Sequence, residues 1–436
     1  MRILVVSQYW WPENGVPQRR WSWLTGVLRD AGHEVMVVCP PPHYLRRMGV
    51  KDWFSSGGYR SADHIERGPN GETIVRSGFV PGGSSITAKV INQVGVAVGM
   101  LVLLLAKQGP LRSFSPDVVI GTVPSLPTAP VAHLASLFFR VPYVIDLRDP
   151  WPELLRYSGE WNKGTGHRSM RERVLNHGPL QLLLLLTARV MRFSIKNAEA
   201  VLVTSDTHQD HLRREMLAQD VYTVRNVFPS ETQPAKRMRG RAGGEKQSLR
   251  VLYAGTIGRA QHLANALVAA EIARSKGLDV QLRFVGTGAE KSELQRIAEK
   301  RRLNCRFEER KSAESLAEAY EWADTALVHL TNWKPLERAV PSKTYELMSA
   351  GIHISAAIGG EAADLISNLH AGDVVQPEDP HQLAALWIDL ARNPHKLDID
   401  SQGRDWVEEE RKVVAPSQID RCLDRIGPEG NGTQHG

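Results

Sequence analysis

Short, continuously apolar runs alternate along this chain with longer stretches of mixed polarity. Residues 2–7 form the first run, 19–31 carry apolar positions at helical spacing, and Gly32-His33-Glu34 turns the chain into a second run at 35–39. Apolar runs of roughly four to eight residues bounded by turn residues predict buried strands, and helix-length segments between them predict parallel pairing. Further strands are expected at 117–121, 142–147, 200–204 and 221–227, with helices at 124–140 and 207–217. Residues 40–83 are rich in Gly, Pro and charge and predict loops with a short strand at 73–78. After a charged, aperiodic stretch the rhythm restarts. Strands are expected at 249–253, 280–285, 305–307, 325–330, 352–356 and 372–375, with helices at 263–276, 291–300 and 315–321. The pattern predicts an α/β protein with two Rossmann-like, doubly wound domains. The first covers 1–229. A linker at 230–248 leads to the second domain at 249–400, with a C-terminal helix expected at 401–427 to cross back to the first domain and a disordered tail at 428–436. Two such domains leave a cleft with facing loops at strand carboxyl ends, where such sheets bind ligands.

Chemistry concentrates at those ends. The stretch KPLERAVPSKTYELMSAG, 334–351, reads as a loop opening a helix, with Ser342 as N-cap and Gly351 as stop. A helix start aims free N–H groups and a positive dipole end at a phosphate. Lys343 adds a cation, and Glu346 can accept from sugar hydroxyls; an ordinary amphipathic helix with a solvated Lys and Glu is the bland alternative. Two glycine loops follow strands: Gly255-Thr256-Ile257-Gly258-Arg259 and Gly286-Thr287-Gly288. Glycine lets backbone N–H groups approach a phosphate closely. After the first strand lie Gly15 and the pair Arg19-Arg20, without the GxGxxG spacing of a dinucleotide site. The strand 142–147 runs into Asp146-Leu147-Arg148-Asp149-Pro150-Trp151-Pro152-Glu153. Carboxylates there can orient sugar hydroxyls and the tryptophan can stack on a sugar ring, unless Asp and Arg form a structural pair capping the next helix.

Composition narrows the classes. A chain of 436 residues, 42% hydrophobic and 23% charged, is ordinary globular material for two or three domains. A formal charge of +6 and a pI near 9.2 suit anionic partners. No basic platform interleaved with aromatics is present, so nucleic acid is not expected. Three distant cysteines form no disulfide framework or zinc spacing, which fits a reducing cytosol. The first residues do not read as a signal peptide. The apolar core at 94–106 is short of a ~20-residue span and predicts a buried or an interfacial helix. Around LQLLLLLTARVMRF, residues 156–196 hold eight Lys and Arg against two Glu. That imbalance suits an anionic membrane surface, or a core helix with snorkelling cations.

VLYAGTIGRAQHL, FVGTGAEKSEL, ADTALVHL, PSKTYELMSAG, GGEAADLI and AGDVVQPEDPHQLAAL occur in one order with natural spacing. Together they resemble the donor-binding half of the retaining GT-B glycosyltransferases that use nucleotide sugars (family 4, group 1 type). MRILVVSQYWWPENG, AGHEVMVVC, PDVVIGTVPS, VPYVIDLRDPWPE and VLVTSD are similar to that family's acceptor domain. More narrowly, the chain is similar to bacterial enzymes that build exopolysaccharide and O-antigen units on a lipid carrier. The resemblance extends to about residue 394.

It implies that Glu346 holds the nucleotide ribose and that Lys343 and Arg259 neutralise the diphosphate, helped by the backbone at Gly15 and Ser342. Gly255, Gly258 and Gly286 would carry the donor loops, and Gly359, Gly360 and Glu361 would line the nucleotide pocket. Asp149 and Arg148 would face the reacting sugar. Many relatives carry two glutamates separated by seven residues, the first binding the donor sugar. Here that position is Arg338, with Glu337 one residue off, so Glu337 serves through a shifted loop or the sugar is held differently. No metal or other cofactor is expected. The implied partners are a UDP- or GDP-linked sugar, a saccharide or polyprenyl-linked acceptor, and an anionic membrane at the inner face of the cytoplasmic membrane. A GT-B sugar-nucleotide epimerase or hydrolase, and a non-catalytic GT-B subunit, are the alternatives.

Overall fold

Two separate sheets organise the chain. The computed structural model describes residues 1–42, 49–60, 65–82, 86–157, 179–216, 220–229, 248–311 and 313–427. The linker expected at 230–248 lies outside the described residues save for Ser248, as do the expected tail at 428–436 and the basic residues Lys163, Arg168, Arg171 and Arg173. Contacts divide the chain into one unit of Met1–Pro152, Leu182–Phe228 and the chain from Val413, and a second of Glu153–Gln181 and Pro229–Lys412.

The first unit runs β1 (Arg2–Val6), α1 (Val16–Asp30), β2 (Glu34–Cys39), α2 (Val50–Ser55), β3 (Ile65–Arg67), β4 (Thr73–Arg76), α3 (Ile86–Leu105), β5 (Val118–Thr122), α4 (Thr128–Phe139), β6 (Tyr143–Leu147), α5 (Pro179–Lys196), β7 (Ala200–Val203), α6 (Asp206–Met216) and β8 (Asp220–Thr223). Its sheet has the order β3-β4-β2-β1-β5-β6-β7-β8, parallel except between β3 and β4. Helices cover both faces, which explains the unbroken apolar runs. Along β1, Ile3 and Val5 enter the core beneath α1, while Leu4 and Val6 enter the core beneath α3 and α4. β8 stops short of the expected 221–227. The Arg20 guanidinium takes the carbonyls of Val224 and Arg225 (2.9 and 3.2 Å), which removes them from a ladder.

The second unit runs β9 (Ser248–Ala254), α7 (Ala264–Ser275), β10 (Asp279–Val285), α8 (Lys291–Lys300), β11 (Cys305–Glu308), α9 (Ala313–Trp322), β12 (Thr325–His329), α10 (Ser342–Ala350), β13 (Ile354–Ala357), α11 (Glu361–Asn368), β14 (Gly372–Val375), α12 (Pro380–Arg392) and α13 (Gln402–Glu409). All six strands are parallel, in the order β11-β10-β9-β12-β13-β14. Asp379 starts α12 by accepting from the N–H groups of His381 and Gln382, and Trp387 of α12 is fully buried against α7. A π-helical stretch, Glu410–Val414, leads to α14 (Ala415–Ile426). α14 contributes Ala415, Ile419, Cys422, Leu423 and Ile426 to the first unit's core, and Arg425 pairs with Asp220 at 3.0 Å. All three cysteines are free thiols.

Candidate active site

In the second unit, β9 lies between β10 and β12, so the winding direction reverses beside it. Loops at such a switch point form the ligand crevice of a doubly wound sheet. Gly255, at φ +153°, donates its N–H to the Val285 carbonyl (2.8 Å). A Cβ at Gly255 would lie 1.8 Å from Lys343 Nζ, and a Cβ at Gly286 would lie 1.8 Å from the Gly255 oxygen. Both positions therefore need glycine. Ile257 laces the two loops together, donating to the Thr287 carbonyl (2.9 Å) and accepting from the Glu290 N–H (3.2 Å). Gly258 precedes a single helical turn, Arg259–Gln261, and the Arg259 Nε is buried without a hydrogen-bond partner. Burial raises the Glu290 carboxyl, with the Arg259 charge opposing it.

The start of α10 meets these loops. The N-cap position falls on Pro341, with helix from Ser342 and no side-chain cap bond, so the expected cap at Ser342 is corrected. Proline there presets the entry backbone, and the first-turn N–H groups are left available to a ligand. Lys343 Nζ stands 4.7 Å from the Tyr253 ring centroid and makes no ion pair among the described residues. Burial brings its pKa down to about 8, against the pull of Glu346. Tyr253, which the sequence reading did not single out, is fixed by donating its hydroxyl to the Thr256 carbonyl at 2.6 Å. Glu346, half-buried, sits three residues beyond Lys343 and so shares its side of the helix. At Gly360, φ +69°, a Cβ would lie 2.0 Å from the Glu337 carbonyl oxygen, which seats Glu337 against the Gly359-Gly360 loop just before the buried Glu361. Glu337 also pairs with Lys334 at 2.6 Å. Arg338 is bonded instead to Glu153. It is the Glu337 backbone that the glycine loop holds, with the carboxylate turned to Lys334.

The first unit corrects two expectations. Arg20 and Asp146 are not open to a ligand. Their side chains are completely buried and paired at 2.8 Å, with Trp21 Nε1 donating to the same carboxylate at 2.9 Å. Burial alone would raise the Asp146 carboxyl, but the Arg20 guanidinium holds it below its usual range. Arg19 lies over the Phe228 ring at 4.5 Å. Both arginines therefore brace α1 against the end of the sheet. Two residues beyond Asp146, just past the end of β6, Arg148 is buried with Nε and Nη1 unbonded, and burial with the nearby Arg20 charge lowers it to about 10. Asp149 remains exposed, which tempers the upward push its crowded surroundings give its carboxyl. Gly15 is the N-cap of α1, with no side-chain cap bond and ordinary extended backbone, φ −100°. A Cβ there would lie 2.5 Å from Gln18 Oε1, itself buried without a partner. A helix start, a buried guanidinium and an exposed carboxylate thus occur at strand carboxyl ends of this unit.

Residues 15–226 match the glycosyl transferase 4-like domain, and residues 236–412 match the glycosyl transferases group 1 family. The chain thus carries a glycosyl transferase 4-like domain followed by a glycosyl transferases group 1 domain. It is similar to WcaI of Escherichia coli (strain K12), a glycosyl transferase ascribed to colanic acid biosynthesis, with 25% identity over 80% of this chain and 82% of that protein. Among solved structures it is similar to the sucrose-phosphate synthase of Thermosynechococcus elongatus (TM-score 0.65, 16% identity, 98% of both chains). It also resembles Anabaena HepE, solved with UDP and glucose (TM-score 0.62, 14% identity, 98% and 100% of the chains). The two parallel-sheet α/β units and these neighbours match a GT-B architecture. This enzyme is a glycosyltransferase, and neither the epimerase nor the non-catalytic alternative is favoured.

The position of Glu346 predicts a binding phenotype. Glu346→Ala should weaken nucleoside diphosphate affinity by roughly 10- to 150-fold, the loss of charged hydrogen bonds worth about 1.5–3 kcal/mol. Unchanged affinity in calorimetry would remove Glu346 from the site.

Proposed function

We propose that this glycosyltransferase moves a sugar from a nucleotide donor to a saccharide acceptor, with retained anomeric configuration, in polysaccharide biosynthesis. The observation that carries the donor half is Lys343, a half-buried ammonium without an ion pair among the described residues, placed over Gly255 at a helix start. Its charge, the α10 N–H groups and Arg259 meet the negative charge that develops as the anomeric carbon–oxygen bond to the diphosphate breaks. The acceptor hydroxyl oxygen forms the new glycosidic bond, its proton passes to the departing phosphate oxygen, and the nucleoside diphosphate leaves. Glu346 holds the ribose and Glu337 the donor sugar beside Gly359 and Gly360; Arg148 and Asp149 orient the acceptor side. Protein cations take the part a metal plays in other transferases. A UDP-linked donor is supported by the UDP in the HepE structure, and a surface-polysaccharide acceptor on a lipid carrier by the likeness to WcaI.

Turnover assays with UDP- and GDP-sugars test this reading. Transfer is expected to continue in excess EDTA and to yield a product of unchanged anomeric configuration by NMR. Chelation that stops transfer until Mg²⁺ or Mn²⁺ is restored would overturn the leaving-group account, and an inverted product would overturn retention.

A further inference from the structure

Three helices of the first unit present apolar side chains to solvent from one sheet face. On α3, Val90, Val94, Val98, Val102 and Leu105 form an exposed stripe at helical spacing, each at least 40% exposed. The opposite side of α3 is core: Val96, Met100, Leu103 and Leu104 are buried together with α4 residues. The 88–105 window has the length and hydropathy of a membrane-crossing segment, yet its buried side belongs to that core. On α4, which packs against α3, Leu134, Leu137 and Phe138 face outward. Lys107, just beyond α3, lies 5.5 Å from the Phe138 and Phe139 rings. On α5, Leu182, Leu185, Leu186, Val190 and Phe193 are exposed, and the Phe193 ring meets His133 of α4 edge-on at 5.4 Å. The three faces are therefore continuous.

Charge decides what covers them. The helices, of 20, 12 and 18 residues, contain no Asp or Glu, although the chain has 48. Among the described residues, the exposed ionic groups on these helices and within three residues of their ends are the cations Lys89, Lys107, Arg140, Arg189, Arg192 and Lys196, against the single carboxylate Glu199. A two-fold dimer through this surface would bring two copies of this cation set together in one interface. A bilayer supplies hydrocarbon for the apolar stripes and phosphates for cations that snorkel outward, at about 1 kcal/mol per Lys or Arg. We propose that the α3–α4–α5 face is a docking surface for an anionic lipid bilayer, on which the helices lie flat. Gln8, in the loop after β1, donates to the Gln93 carbonyl of α3 at 2.9 Å, so the surface reaches the strand ends that carry the acceptor-side residues. Docking would present a lipid-anchored acceptor there; that consequence alone rests on the transferase reading.

The test is co-sedimentation of the full chain with phosphatidylglycerol/phosphatidylcholine vesicles and with phosphatidylcholine alone, at low and high salt. The comparison is the triple variant Val98→Glu, Leu137→Glu, Leu185→Glu, one exposed site per helix. The wild type should bind the anionic vesicles at least ten-fold more tightly than neutral ones, with release by salt, and the triple variant should lose at least ten-fold. Val413→Glu, an exposed site on another element, should bind like the wild type. Circular dichroism and nucleotide thermal shifts equal to the wild type show that the triple variant is folded. Equal vesicle binding by wild type and triple variant would overturn the proposal. So would a solution dimer, seen by light scattering, that the triple variant abolishes. Vesicle binding that fails while nucleotide still binds sinks the docking surface and leaves the transferase reading standing.

Discussion

Lys343→Ala should lower kcat by about 10²- to 10³-fold while changing nucleoside diphosphate affinity much less. That is the usual loss when one preorganised donor to a developing oxyanion is removed. The pH dependence follows from the same residue. Burial lowers the ammonium to about 8, so in the free enzyme the charge is complete below that value and lost above it. The kcat/KM profile should therefore fall as pH rises through about 8, and binding of the anionic donor should move the kcat profile to higher pH. A stability effect of opposite sign accompanies it. A lysine whose folded pKa lies below its unfolded value is held charged at a cost to the fold near neutral pH, and that cost is full below about 8 and falls away as pH rises from there towards the ordinary lysine value. Lys343→Met, which keeps the stem over Tyr253, should thus raise Tm slightly at pH 7 while removing turnover. Calorimetric scans and single-turnover kinetics on the same preparations read both effects. Retained turnover in either variant would take the leaving-group role from Lys343.

Arg20→Ala carries the largest expected loss of stability. It strands the fully buried Asp146 carboxylate without its guanidinium and leaves the Val224 and Arg225 carbonyls short of a donor. Removing one partner of a buried pair costs about 3–5 kcal/mol. Denaturant unfolding should show that loss at neutral pH. As the medium is acidified and Asp146 protonates, the gap between variant and wild type should narrow, since Arg20 is the main group that lowers the Asp146 pKa, ahead of Arg148 and Trp21. Asp146→Asn, which still fills the site and accepts a hydrogen bond, should cost less. An Arg20→Ala protein as stable as the wild type would mean that Arg20 is a ligand-binding group after all.

The alternating pattern of apolar runs was enough to read both parallel sheets, because strands covered on both faces leave continuous signatures such as ILVV at β1. The glycine loops were equally legible: Gly255 is required by its positive φ, and Gly286 by its own positive φ and its contact with the Gly255 backbone. What the sequence concealed was pairing. An Asp closing an apolar strand looks the same whether it awaits a sugar or, as Asp146 does, already holds Arg20 and Trp21. The clue was local, an arginine set among the tryptophans of RRWSWL, but its partner lies 126 positions away. Ser342 has the chemistry of a cap, yet Pro341 occupies that position because its fixed φ suits the entry into α10. Tyr253 passed as one more strand residue, since only the folded loop sets Lys343 over its ring. The apolar segment at 94–106 left buried and interfacial readings open, and α3 is both, one side in the core and one side in solvent.

The central claim is that the glycine loops and the start of α10 hold the donor's nucleoside diphosphate. Hydrogen-exchange mass spectrometry of the full chain, with and without saturating UDP, GDP or ADP, tests it most directly. One of the three should slow exchange at residues 255–259, 286–288 and 342–346. Protection absent with all three nucleotides, or confined to the first unit, would contradict the account.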